Sequence, residues 1–199
     1  LSGFLENTNE AYAIAKIAGI KLCESFRKQY KLDSICLMPT NLYGPKDNFH
    51  VNNSHVMASL IRKFCEAKKF NYKKVECWGT GSPKREFLHV DDLGDACVFA
   101  LEKWSPSFLN APKDKNNMIL NYLNVGTGEE ITIKELSGLI AELVGFKGEV
   151  IWDKSKPDGT PRKVMDSSRF MNLGWKPNIR MRQGIKKTIE YYLTEKFSE

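Results

Sequence analysis

Thr8-Asn9-Glu-Ala-Tyr12-Ala-Ile-Ala-Lys16 opens a predicted helix. Thr8 and Asn9 are good N-cap types, and apolar positions continue through Ile17, Ile20 and Leu22 to about Gln29. Residues four apart share a helix face, so the Lys16 ammonium falls beside the Tyr12 phenol. A phenol ionises near pH 10 in water, and a fixed cation beside it favours the phenolate. That makes an acid able to protonate a developing alkoxide near neutral pH. A plainer alternative is an amphipathic helix with a half-buried tyrosine and a solvated lysine. Spacing alone cannot choose, because Tyr192-Leu-Thr-Glu-Lys196 repeats it near the C-terminus. Context separates the two: only Tyr12 is followed by Pro39-Thr-Asn-Leu-Tyr-Gly-Pro45, Arg85-Glu-Phe-Leu-His-Val-Asp-Asp92 and Lys156-Pro-Asp-Gly-Thr-Pro-Arg-Lys163.

Outward from that helix the pattern alternates strand and helix. Strands are predicted at Ser34–Pro39, Val75–Trp78, Phe87–His89, Tyr122–Val125 and Glu149–Trp152. Helices are predicted over Ser54 to about Phe70, from an Asp91 cap through Leu101, from the Thr132–Glu135 capping box to about Val144, over Ser167–Leu173, and from Met181 to about Lys196. Gly79–Pro83 reads as a turn and residues 104 to 119 as a surface loop. This alternation is the signature of an α/β fold. Asn124-Val-Gly-Thr-Gly128 imitates the start of a dinucleotide loop, but Ile131 stands where the third glycine belongs, so it reads as a turn into the capped helix.

Bulk properties exclude more than they select. With 199 residues, 42% hydrophobic and 27% charged, the chain has the composition of an ordinary globular protein and no run suited to a membrane. The net charge of +6 is dispersed and no nucleic-acid motif accompanies it. Five cysteines without C-x-x-C spacing suggest reduced thiols in the cytoplasm and no metal site. The chain begins with Leu1 and enters a catalytic-looking helix within about ten residues, which suggests that a preceding portion is missing.

Together these motifs resemble the extended short-chain dehydrogenase/reductases. Within them the likeness is to the epimerase–reductases that act on GDP-4-keto-6-deoxy-D-mannose, and it extends over essentially all 199 residues. The resemblance implies the end of a Rossmann-type NADP-binding domain plus a smaller α/β substrate-binding domain. Residues 1–45, with parts of 86–125 returning, would belong to the first, and 46–199 mainly to the second. It implies NADP as cofactor, a GDP-sugar substrate and a homodimer through the Tyr12 helix and the Ser54–Phe70 helix or its neighbours. The glycine-rich loop, a catalytic Ser and a catalytic Cys would lie in the absent half, leaving the isolated fragment inactive.

Carried over residue by residue, the resemblance makes Tyr12 and Lys16 catalytic, with Lys16 also bonded to the nicotinamide ribose and Tyr12 and His55 also among the cofactor-binding residues. His55 would move protons at C3 and C5, a task that suits a group titrating near 6.5; a helix-start residue is the plain alternative. Pro39, Thr40, Asn41 and Leu42 would line the nicotinamide with main-chain groups. Lys63, Trp78, Arg85 and Asp158 would hold the nucleotide sugar, Arg85 gripping the diphosphate through its planar fork. Lys63 stands where the family commonly has arginine, keeping the charge without the fork. Trp78 could equally pack in a core, and Arg162 and Lys163 could neutralise phosphate or stay solvated. Two rival functions remain open: a related nucleotide-sugar epimerase or dehydratase, and a non-catalytic sugar-nucleotide-binding domain.

Overall fold

The computed structural model describes residues 3–197. A single 3-10 turn at Asn7–Asn9 leads into α1 (Glu10–Tyr30), which Lys31 ends in the left-handed conformation with its N–H on the Phe26 carbonyl. There follow β1 (Cys36–Pro39), β2 (Asn41–Tyr43), α2 (Val56–Lys69), β3 (Lys74–Trp78), β4 (Lys84–His89), α3 (Val90–Lys103), β5 (Tyr122–Val125), β6 (Glu130–Thr132), α4 (Ile133–Val144), β7 (Glu149–Asp153), β8 (Arg162–Lys163), α5 (Ser168–Asn172) and α6 (Met181–Phe197). The pairs β1–β5, β2–β4, β3–β7 and β4–β8 are parallel, and β4–β6 is antiparallel. The fold is α/β, as its alternation predicts.

One crossing positions the site. β1 lies against β5 as far as the Pro39–Val125 pair, and the Thr40 N–H reaches the Val125 carbonyl at 2.9 Å. From Asn41 the chain changes neighbour and pairs with Phe87 on β4. Ligands of parallel sheets sit beyond the carboxyl ends of the strands, where such changes of neighbour open a crevice. Pro39–Leu42 occupies that crossing.

Two hydrophobic clusters flank it. Met57, Leu60, Ile61, Phe64 and Cys65 recur at helical spacing on α2 and meet Leu136, Ile140 and Val144 of α4 and Ile185, Ile189 and Tyr192 of α6. Val75, Cys77 and Phe87 close that cluster from the strands. The second gathers Leu88, Ala96, Ala100, Trp104, Leu123, Val125, Phe170 and Trp175. Each fully buried Leu, Ile or Phe contributes about 1.5–3 kcal/mol. α2 buries its apolar face inside the first cluster. α1 instead has no buried residue, and Tyr12, Ile14, Leu22 and Tyr30 are exposed on it, as are Val98 and Leu101 on α3.

Local details depart from the sequence expectations in three places. Asn9 stands at the N-cap of α1 but makes no side-chain capping bond. The N-cap of α3 is His89, not Asp91: the buried imidazole Nδ1 accepts the Asp91 N–H at 3.2 Å. The strands β2, β6 and β8 were not expected. They are three, three and two residues long, too short for a periodic pattern, and exist because β4 offers edges to pair with. The Thr132–Glu135 capping box, in contrast, forms with both reciprocal bonds.

Candidate active site

Tyr12 and Lys16 converge as their spacing dictates. The Lys16 ammonium lies 5.4 Å from the centre of the Tyr12 ring, and Tyr12 is 65% exposed, its hydroxyl open to a ligand. The second Tyr–Lys pair is different in kind. Tyr192 is buried in the first cluster, its hydroxyl donates to Glu66 Oε1 at 3.2 Å, and burial pushes its phenol far above the ordinary value.

The crossing at Pro39–Leu42 is fastened by Glu86. The Glu86 carbonyl accepts from the Thr40 hydroxyl at 3.3 Å and the Asn41 side-chain amide at 2.7 Å. The Glu86 side chain is fully buried, with Oε1 accepting the Gly128 N–H and Oε2 the Met165 N–H, each at 2.9 Å. A Cβ on Gly126 would collide with Oε1, so the turn after β5 needs glycine there. Gly128 thus spends its N–H on a carboxylate, consistent with a turn and not a phosphate loop. Glu86 has no signal in the sequence: it follows Lys84 and Arg85 just before the predicted Phe87–His89 strand and reads as one more solvated charge, and only the fold buries it.

The residues expected to hold the nucleotide sugar gather on one surface at the ends of β3 and β4. Trp78 is 65% exposed, which settles it as a surface side chain. The Lys63 ammonium donates to the Glu76 carbonyl at 2.8 Å and stands 5.9 Å from the Trp78 ring centre. Asp158 accepts the Thr80 hydroxyl at 2.7 Å and the Thr80 N–H at 2.9 Å, and these bonds hold its carboxyl below the usual range. Arg85 Nη1 donates to the Thr160 carbonyl at 2.6 Å and the Lys84 carbonyl at 2.8 Å, while burial lowers its affinity for its proton. Asp158 therefore ties the Lys156–Lys163 segment onto the turn at 79–83, and Arg85 ties it to β4. Arg162 is drawn away from a phosphate role, because its Nε bonds Glu130 Oε2 at 2.6 Å while Lys84 takes Oε1 at 2.8 Å.

His55 occupies the N-cap position of α2 without making a capping bond, and its ring is exposed. Beside it, burial pushes the Asp47 carboxyl up against the opposing pulls of the Asn48 N–H and His55, and Asp47 Oδ2 has no partner. His50 is spent locally, its Nδ1 accepting the Asn52 N–H, and His89 is sealed in the interior, where burial lowers its pKa. No hydrogen bond among the described residues joins the Tyr12 pair, His55 and the Trp78 surface. β4 links two of the regions instead: Arg85 faces the Thr160 segment, and its neighbour Glu86 holds Thr40 and Asn41.

These residues fit the nicotinamide end of a dinucleotide. An open phenol and ammonium share a face of α1, and the strand crossing is held rigid from behind. Thr40 offers a ligand no free donor, since its N–H and hydroxyl are both bonded, and Pro39 has no N–H. No glycine-rich cradle for a pyrophosphate lies among the described residues. Nor is there, among them, a cluster of His, Cys, Asp and Glu able to hold a metal ion, or a helix long and apolar enough to cross a membrane. A cavity of about 880 Å³ beside the end of α1, lined by Arg27, Lys28, Asp33 and Met118, contains none of the expected site residues.

Parallel strand pairs alternating with helices define the class of fold as α/β, and comparison with known proteins gives the family. Residues 1–111 match the family described as the NAD dependent epimerase/dehydratase family, and the chain belongs to it. It is 54% identical over 193 residues to GDP-L-fucose synthase 1 of Arabidopsis thaliana, covering 97% of this chain and 56% of that protein. To the GDP-L-fucose synthase of Escherichia coli it is 51% identical, covering 97% of this chain and 59% of the relative. Among solved structures, the GDP-mannoheptose C4 reductase from Campylobacter jejuni with NADP bound superposes with a TM-score of 0.79 at 37% identity, covering 96% of this chain and 60% of that one. The chain thus spans a little over half the length of the curated relatives it matches.

Proposed function

We propose that the chain is the substrate-binding portion of an NADP-dependent epimerase–reductase that converts GDP-4-keto-6-deoxy-D-mannose to GDP-L-fucose. The convergence of Lys63, Trp78, Arg85 and Asp158 on one surface carries this reading, and the identity above 50% to two GDP-L-fucose synthases supports it. The C4 ketone acidifies the protons at C3 and C5. His55, exposed at the start of α2, takes or returns those protons. NADPH, when bound, supplies a hydride for C4. Tyr12 protonates the oxygen at that carbon, and Lys16 stabilises the phenolate left behind. Arg85 and Lys63 neutralise the diphosphate. The test is incubation of the full-length protein with GDP-4-keto-6-deoxy-D-mannose and NADPH, with the product identified by NMR. Recovery of unchanged substrate, or of a sugar not epimerised at C3 and C5, rejects the assignment.

Arg85→Ala in the full-length protein should weaken nucleotide-sugar binding by about 2–3 kcal/mol, roughly 30- to 150-fold in KM, and leave the KM for NADPH unchanged. An unaltered KM for the sugar would place the diphosphate elsewhere.

The division at about residue 45 belongs to the same reading, with 86–125 returning to the cofactor side. The second hydrophobic cluster supports it and adds Phe170 and Trp175, which pack beside Leu123 and Val125. A homodimer also belongs to it, with α1 and α3, not α2, providing the uncovered apolar side chains. So does a cytoplasmic location, which suits five free cysteines.

A further inference from the structure

We infer that Lys156 is an additional phosphate-binding residue of this surface, acting with Lys63 beside the same Trp78 ring. The inference rests on the nucleotide-sugar reading above and adds a residue to it. The Lys156 ammonium stands 5.7 Å from the Trp78 ring centre and the Lys63 ammonium 5.9 Å, one delivered by the loop after β7 and the other by α2. That loop is not loosely placed. The Lys156 N–H bonds the Asp153 carbonyl at 3.2 Å, Asp158 holds Thr80, and the Thr160 carbonyl accepts from Arg85. Lys63 already donates to the Glu76 carbonyl, whereas the Lys156 ammonium has no hydrogen-bond or ion-pair partner among the described residues.

An exposed indole can hold one lysine by a cation–π contact. Two ammonium groups on one ring share that attraction and repel each other. Their natural complement is a flat ring that stacks on the indole and carries negative charge beside it. A nucleoside diphosphate has that form. A lysine at position 63 supplies a point charge where a guanidinium would supply a fork, and Lys156 makes good the missing electrostatic attraction with a second point charge.

The test measures GDP and guanosine binding by calorimetry to the full-length wild-type protein and to its Lys156→Gln and Lys156→Arg variants. Lys156→Gln should weaken GDP about 5- to 10-fold and leave guanosine within about twofold. Lys156→Arg should stay near wild type for GDP. The GDP affinity of Lys156→Gln should also fall less steeply than that of wild type as salt rises. Unchanged GDP affinity in Lys156→Gln, with wild type binding normally, overturns the role of Lys156 alone. Equal losses for GDP and guanosine overturn it too, showing that the lysine supports stacking and not phosphate. Wild-type protein that fails to bind GDP overturns the nucleotide-sugar reading and this inference together.

Discussion

Tyr12→Phe in the full-length protein should reduce the rate of NADPH oxidation with the keto-sugar by about 10²- to 10⁴-fold, the usual worth of a positioned proton donor. The ring and its neighbour Lys16 stay in place, so the KM for NADPH should change little. Deuterium exchange from solvent at C3 and C5 should persist, because those protons are assigned to His55. His55→Ala should do the opposite, suppressing exchange while reduction of an already epimerised keto-sugar survives. The split depends on two groups that no hydrogen bond joins among the described residues, one on α1 and one at the start of α2. Tyr12→Phe protein that loses exchange and reduction in equal measure would show one group serving both steps.

The second large effect concerns stability. Glu86 is a buried carboxyl that pairs with no cation among the described residues; two backbone N–H groups, of Gly128 and Met165, satisfy it. Glu86→Ala strands both donors in the interior and leaves a cavity, which should cost about 3–5 kcal/mol and lower the melting temperature of the full-length protein by roughly 6–15 °C. Glu86→Gln keeps the volume and one acceptor, so its loss should be about half as large. Activity should suffer beyond the loss of folded protein, because Glu86 lies on the strand that holds Thr40 and Asn41 at the crossing. A melting curve for Glu86→Ala within a degree or two of wild type would mean that water or a local shift satisfies those N–H groups.

The long elements were legible because burial repeats along them. The stripe at 57, 60, 61, 64 and 65 on α2 is a helix written in side-chain chemistry, and the Thr132–Glu135 box marks a helix start with four residues. Short strands leave no such trace. β8 contains two residues and owes its existence to β4, eighty positions earlier in the chain. The cap of α3 was misread for a related reason: Asp91 is a strong capping type, but His89, buried with its Nδ1 facing the chain, reaches the free N–H first.

Residue types and local spacing alone determined the α/β alternation, the Tyr12–Lys16 pairing and the motifs by which the family resemblance arose, because each depends on neighbours within a turn or two. Only the tertiary structure decided that Trp78 faces solvent, that Arg162 belongs to Glu130, that Lys156 and Lys63 share one indole, and that Glu86 ties the strand crossing to the turn after β5. Those facts arise between segments as far apart in the chain as Lys63 and Lys156. Which segments meet is set by the packing of whole faces, a quantity that no short window of sequence contains.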